Sequence, residues 1–548
     1  MNAPGKPLKQ RTPVEMVRDG VAAKPDETLL TFVELDAKGN FLEETRSYRQ
    51  LLENGQRVAA ALVAEGMKAQ DSFALLMANH AEFVDCMIGS ELAGTVFVPI
   101  DPRTRGDRLA YMLRFAKCRG VVVSPQALDA LSEVAPQLTS LEWIWVLGED
   151  PFPTIAHMRT KSFAAALAAG KEPPPDPGPD LQRPMQFLYT SGTTGDPKAM
   201  LAPYARYALV ASLGPILQIR PDDKLYTGLS LTHANAQLIT LGASLAMGLP
   251  LVISRKFTKS RLWEIVGHYG CTLFNLLGGM TVAIFAEPPA PHDRQHKVRM
   301  VLSAGMPATM WRAFEERFGL KVFEFYGAAE GGLTLNPPGA GPVGSIGKPP
   351  PGSICAILDE DDKEVSPGEY GQICFRPENG SSPPVVYFNN PTASEAKTKG
   401  GWFRSGDIGY KDADGWVYFA YRAGNSVRRN GDFIDPGQIE TEIATVEGVA
   451  DVYVYGVATQ GNTPGEKEVI AAIVPESAAF DPTTVFTHCR TKLGPSLAPS
   501  FVQIVPEIPK TASEKPQDRH LIAWLSQPDA KIFDGSGQTK IQLTGEKK

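Results

Sequence analysis

The sequence predicts an α/β protein: a large N-terminal domain of doubly wound sheets, a β-rich subdomain, and a small C-terminal α+β domain. Three observations predict it. Apolar strand-like runs alternate with helical periods through most of the first 330 residues, the pattern of parallel strands crossed by helices. From about Gly341 the texture changes to short strands between Gly and Pro turns. After "GWVYFAYRAGN" a shorter mixture of helix and strand resumes. A chain of 548 residues also exceeds what one core serves, so two or more domains are expected.

In chain order, the first 25 residues are polar and are expected to be loose. "SYRQLLENGQRVAAALVAEGM" carries a helical period, and "DSFALLMAN" reads as a strand. The helix "AEFVDCMIGSELAG" leads to the strand "TVFVPID", and the helix "RGDRLAYMLRFAKC" to the strand "GVVVS". "AGKEPPPDPGPDLQRP" is Pro-rich and acidic, and reads as a linker. A second alternating section runs through "PLVISRKF", "CTLFNLLGG", "RMVLSAG" and "KVFEFYG". The "GSIGKPPPGSICAILDEDDKEVSPGEYGQICFRP" stretch supplies the β-rich subdomain. The last section holds a helix near "PGQIETEIATVEGV", the strands "ADVYVYGV" and "EVIAAIVP", and the helix "TVFTHCRTKLG". The final twenty residues are polar and are expected to fray. The domain boundary is set at 1–422 and 423–548.

Composition narrows the function. The chain is 43% hydrophobic and 21% charged, with a formal net charge of -7. It therefore has no broad basic footprint for nucleic acid. Six cysteines at 86, 118, 271, 355, 374 and 489 form no CxxC pair, which points to reduced thiols and a cytoplasmic location. The N-terminus has no apolar run of a signal peptide. "ITLGASLAMGLPLVI" is too short and too broken by Gly and Pro for stable membrane insertion.

The densest chemistry lies in "YTSGTTGDPKAM". Thr190, Ser191, Thr193 and Thr194 offer hydroxyls, Gly192 and Gly195 let backbone amides approach a ligand, and Lys198 adds a point charge. Such a run after a strand makes a polyphosphate cradle. It is not a Walker A loop, which needs GxxxxGK[ST].

The residue order closely resembles the signature loop of the adenylate-forming superfamily of acyl-CoA synthetases, adenylation domains and luciferases. Four further stretches match in the same order. "FYGAAEGG" resembles its aromatic-Gly-x-Thr-Glu segment, and "GWFRSGDIGY" its Gly-Trp-x-x-Thr-Gly-Asp segment. "YRAGNSVRRNGDFIDPGQIE" resembles the Arg-containing interdomain stretch, and "PKTASEK" the C-terminal lysine loop. The resemblance runs from about residue 25 to 525, and its spacing is most similar to the AMP-dependent acid–CoA ligases, including the carnitine/crotonobetaine type. It implies a two-step reaction. ATP with Mg2+ and a carboxylic acid give an acyl-adenylate and pyrophosphate, and coenzyme A then takes the acyl group and releases AMP. A carrier protein in place of coenzyme A, a weakly active nucleotide-binding paralogue, and a homodimer as the assembly all stay open.

The resemblance also implies roles. Lys515 is the catalytic ammonium between the acid's carboxylate and the α-phosphate, carried on a small domain that swings. Lys510 is its structural neighbour. His233 lies beside the acid's carboxylate. The nucleotide is held by Thr190, Ser191, Gly192, Thr193, Thr194, Gly195 and Lys198. It is also held by Gly305, Met306 and Pro307, and by Glu324, Phe325, Tyr326 and Gly327. Asp407 and Arg422 take the ribose. Glu330 binds Mg2+, and Gly431 flanks the coenzyme A path. The acid pocket is lined by His233, Ala234, Gly278, Ala304, Ala328 and Gly332. The small walls suggest room for a bulky or extended apolar acid. Three residues depart from the family pattern: Ala329 stands for its Thr, Glu514 for the Gly before the lysine, and Pro516 follows that lysine.

Overall fold

A computed structural model describes residues 6–149, 151–190, 198–359, 361–381, 383, 385–422, 427–429, 432–434, 436–459, 467–494, 497–511, 516–539 and 541. The chain divides into two compact units, Met1–Gly352 with Ser381–Lys399, and Ser353–Gly380 with Gly400–Lys548.

The first unit holds two sheets. One has seven strands in the spatial order Arg159–Ser162, Trp143–Val146, Gly120–Val123, Ser72–Leu76, Val96–Ile100, Pro184–Thr190, Lys198–Pro203. All pairs are parallel except the last. The other has eight strands, with Leu333–Asn336 at one edge and Phe41–Ser47 at the other. Its six inner strands are parallel and both edge strands pair antiparallel. The inner strands are buried on both faces, which is why they read as continuous apolar runs in the sequence.

Local signals place several helices. Ser47 caps the helix Tyr48–Ala64 through a reciprocal bond with Gln50. Gly94, at φ +70°, ends the helix Ala81–Ala93. The Pro-rich stretch 170–183 has no helix or strand, as expected of a linker.

The expectation of loose termini is corrected at both ends. Thr12 and Glu15 form a capping box on the helix Pro13–Ala23, with Pro at its start. Val14, Met16 and Val17 of that helix are buried, and the Val14 amide donates to Glu91 Oε2 at 3.1 Å. At the other end, Lys531–Asp534 and Gly537–Thr539 form two strands of the second unit's five-stranded sheet. Ile532 is buried there beneath a polar exterior.

The second unit also contains an antiparallel four-stranded sheet, Ser353–Leu358, Gly371–Pro377, Phe403–Lys411 and Val417–Arg422. This is the β-rich section expected from the Gly/Pro spacing. All six cysteines are free and buried. Among the described residues no helix is long and apolar enough to cross a membrane.

Candidate active site

The strands Pro184–Thr190 and Lys198–Pro203 pair so that Thr190 faces Lys198, which brings the two ends of the hydroxyl–glycine run together. Ser191, Gly192, Thr193, Thr194 and Gly195 lie outside the described residues. Lys198 is exposed, with its Nζ 5.6 Å from the ring centroid of Tyr387. Tyr387 is held in place from behind. It bridges Met200, and the next amide, of Phe388, donates to the Ala199 carbonyl at 2.8 Å. The Phe388 ring meets Phe187 edge-on at 5.0 Å. Tyr387 Oη then donates to Glu330 Oε1 at 2.8 Å. One buried tyrosine therefore touches both the lysine assigned to phosphate and the carboxylate assigned to the metal.

Glu330 sits in a tight connection between the strands Lys321–Gly327 and Leu333–Asn336. The Ala328 amide donates to the Gly331 carbonyl and the Gly331 amide to the Ala328 carbonyl, both at 3.1 Å. Gly332 follows at φ +72°, a conformation that strains a side-chain-bearing residue. Arg206, from the helix Tyr204–Ala211, reaches across with Nη1 3.3 Å from the Glu330 carbonyl and Nη2 3.4 Å from that of Ala328. Burial, opposed by the charge of Glu330, pulls its guanidinium below the ordinary arginine range. Sequence reasoning missed both Arg206 and Tyr387. A lone arginine in the otherwise apolar "YARYALVAS" was the available signal for the first; Tyr387 had none.

The next two parallel strands end in loops that nearly touch. A Cβ on Gly278 would lie 2.7 Å from the Gly305 carbonyl oxygen, and Gly305 has φ +102°. The loop 305–307 hangs from Glu324, whose Oε1 accepts from the Gly305 amide at 2.6 Å and Oε2 from the Met306 amide at 3.1 Å. Burial pushes the Glu324 carboxyl up to about 7, against the pull of those two amides. Tyr326, two residues on, is half-buried opposite Thr334. Phe325 points into the core. Ligand sites of α/β sheets lie at these carboxyl ends of the strands.

His233 stands in a bend just ahead of a π-helix, Asn235–Leu241. Its Nδ1 accepts from the Asn235 amide at 3.2 Å, and its carbonyl accepts from the Gln237 amide at 3.0 Å. Single π-helical stretches recur at functional sites, and no residue pattern in the chain marks this one.

In the second unit, Asp407 and Arg422 face each other on neighbouring strands. Arg422 Nε donates to Asp407 Oδ1 at 2.7 Å, and Nη2 to Oδ2 at 3.4 Å. Ser405 Oγ accepts from the Asp407 amide at 2.9 Å and donates to the Ile373 carbonyl at 2.6 Å. The serine of "SGDI" thus fixes the strand segment that presents the aspartate. Lys510 Nζ is bound to Asp451 Oδ2 at 2.5 Å, and Lys510 pairs with Pro516 across a β-bridge. Lys515, Glu514 and Gly431 lie outside the described residues.

Comparison with known proteins gives two family matches. The AMP-binding enzyme family matches residues 17–381, and the AMP-binding enzyme C-terminal domain matches 438–515. The chain is 29% identical to a sulfoacetate–CoA ligase of Cupriavidus necator, over 84% of this chain and 88% of that protein. It is 28% identical to a medium/long-chain-fatty-acid–CoA ligase of Mycobacterium marinum, over 91% and 95%. Among solved structures, that of the anthranilate CoA ligase AuaEII with anthranoyl-AMP superposes with a TM-score of 0.81 at 23% identity, covering 94% of this chain and 98% of that one.

Proposed function

This chain belongs to the AMP-binding enzyme family, and from that premise we propose that it is an AMP-forming carboxylic acid–CoA ligase. The observation that carries the reading is the row formed by Lys198, Tyr387 and Glu330, which sets a cation and a carboxylate against one tyrosine.

The residues fit the groups the reaction needs. Among the described residues no cluster of three acidic, His or Cys side chains stands ready for a metal. Magnesium bound through one carboxylate and the substrate's own phosphates does not require one. Glu330 supplies such a carboxylate, with Oε1 anchored by Tyr387 and Oε2 left for the ion. The close approach of Gly278 to Gly305 supports a flat cradle for a nucleobase, with Tyr326 on its other side. When bound, ATP with magnesium supplies the activated α-phosphorus and the pyrophosphate leaving group, and coenzyme A supplies the thiol.

The chain's own residues do the rest. Lys198 and the run from Thr190 to Gly195 hold the β- and γ-phosphates. Glu324 acts on the nucleotide through the loop it suspends, from Gly305 and Met306 to Pro307; Phe325 and Gly327 frame Tyr326. Arg422 holds the Asp407 carboxylate by two hydrogen bonds, and the pair takes the ribose hydroxyls. His233 orients the acid's carboxylate. Lys515 stabilises charge as that carboxylate attacks phosphorus and the α–β bond breaks. Gly431 leaves the thiol's approach clear for attack on the acyl carbon, with AMP departing. The pivot of the small domain is assigned to Gly424, two residues after Arg422 and outside the described residues, beside the domain boundary expected at 422/423. Six buried free thiols support a cytoplasmic location.

Acid-dependent ATP–pyrophosphate exchange over a panel of acids, followed by AMP release with and without coenzyme A, tests this. The expected result is exchange with at least one acid and coenzyme-A-dependent AMP release. Exchange with no acid overturns the reading.

A further inference from the structure

Asn79 joins the two sheets of the larger unit at the strand ends that carry the proposed site. It lies in the connection between the strand Ser72–Leu76 of the seven-stranded sheet and the helix Ala81–Ala93. Its side chain crosses to the eight-stranded sheet. Nδ2 donates to the Leu229 carbonyl at 2.9 Å and to the Ser254 carbonyl at 2.8 Å, and Oδ1 accepts from the Leu231 amide at 2.8 Å. Leu229 and Leu231 follow the strand Leu225–Thr227, and Ser254 ends the neighbouring parallel strand Leu251–Ser254. Asn79 is 1% exposed, and its three partners lie 150, 175 and 152 residues away. Both amide hydrogens and the oxygen are used, on two carbonyls and one amide. Aspartate could only accept there and leucine could do neither, so the backbone that is held sets the residue type.

That backbone leads to His233. The bonds to Leu229 and Leu231 bracket Ser230. The Ser230 carbonyl accepts from the His233 amide at 2.9 Å. Ser230 Oγ lies 2.8 Å from Thr232 Oγ1 and accepts from the Thr232 amide at 3.3 Å. Burial ends at the same point: Leu229 and Leu231 are buried, whereas Thr232, His233 and Ala234 are partly exposed. The histidine therefore reaches the surface from a backbone fixed just behind it. Its Nδ1 accepts from the Asn235 amide. The neutral ring then carries its proton on Nε2, as a donor for a carboxylate.

We propose that Asn79 is a positioning residue for the acid: through the 229–231 backbone it sets where His233 meets the acid's carboxylate, and so acts on the acid and not on the nucleotide. None of its three bonds reaches the row of Lys198, Tyr387 and Glu330. This rests on the ligase reading and on the role given to His233.

The test is a double-mutant cycle in pyrophosphate exchange, with Asn79→Ala, His233→Ala and the two together, on the acid turned over best. The readout is KM, which does not depend on how much of a preparation is folded. Asn79→Ala should raise the KM for the acid by about tenfold, within the hundredfold that a misplacement of about 1 Å costs. The KM for MgATP should stay within about twofold. In the His233→Ala background the same substitution should move the KM for the acid by no more than about twofold, because it then has nothing to position. Asn79→Gln keeps every donor and acceptor on an arm one methylene longer. It should show the same pattern and serves if the alanine variant does not fold. An interlock that only stabilises the fold would give the full change in both backgrounds, or raise both KM values together, and either result overturns the proposal. An unchanged KM for the acid in His233→Ala, with exchange intact, rejects the role of His233 and this inference while the ligase reading stands. Exchange with no acid at all defeats the ligase reading itself, and this inference with it.

Discussion

Tyr387→Phe removes one atom from the proposed metal site and leaves the ring that faces Lys198. The lost bond is a phenol donating to a carboxylate at 2.8 Å, between a tyrosine that is 3% exposed and a half-buried glutamate. A hydrogen bond to a charged group contributes about 1.5–3 kcal/mol. Solvent reaches Glu330, so the lower figure applies. At about 1.4 kcal/mol per factor of ten, the loss corresponds to roughly a tenfold change in an equilibrium constant. With Oε1 released, the carboxylate swings and Oε2 no longer meets the ion in a fixed orientation. The KM for MgATP in pyrophosphate exchange should therefore rise about tenfold, and the Mg2+ activation curve should shift with it. The cation–π contact of Lys198 should persist, because Phe keeps the ring. A KM that falls, or that stays within twofold with an unchanged Mg2+ curve, would refute the reasoning: Tyr387 would then be competing with the metal for Glu330 instead of orienting it.

Lys515→Ala should lower acyl-adenylate formation by two or more orders of magnitude, on the scale of other lost electrostatic donors, yet spare thioester formation from supplied adenylate. Lys510→Ala, which removes the partner of Asp451, should do less, and equal loss in both half-reactions would reject the role of Lys515. Ala329→Thr restores a hydroxyl next to Glu330 and should lower the KM for MgATP or raise turnover; a large loss of activity would mean that the alanine makes necessary room. Glu324 has a folded-state pKa near 7, above its ordinary 4.5. The folded protein therefore binds more protons in that window, and the stability from this group is full below pH 4.5 and lost by pH 7. The melting-temperature difference between the native chain and Glu324→Gln should favour the native chain more at pH 5 than at pH 7.5, by up to about 3 kcal/mol in stability; a difference independent of pH would contradict it.

By itself the sequence determined the features that rest on local order. A parallel α/β unit announces itself through buried strands that alternate with amphipathic helices, and a phosphate-binding run through hydroxyls, glycines and a lysine after a strand. The five ordered stretches were legible for the same reason: each is contiguous, and its chemistry needs its residues close in the chain. What only the tertiary structure decided depends on partners far apart in sequence. The helix Pro13–Ala23 read as a loose end because its burial and its Val14–Glu91 bond join residues 77 apart. The strand pair ending at Thr539 read as frayed because the sheet that receives it lies outside the window. Tyr387 is an ordinary loop aromatic until Lys198 and Glu330 converge on it. Asn79 bonds to backbone 150 to 175 residues away, and alone it is just a polar residue after an apolar run. Local pattern fixes which face of a segment is apolar; what a buried polar atom meets there is fixed only when distant segments pack, because a hydrogen bond requires its partner within about 3 Å.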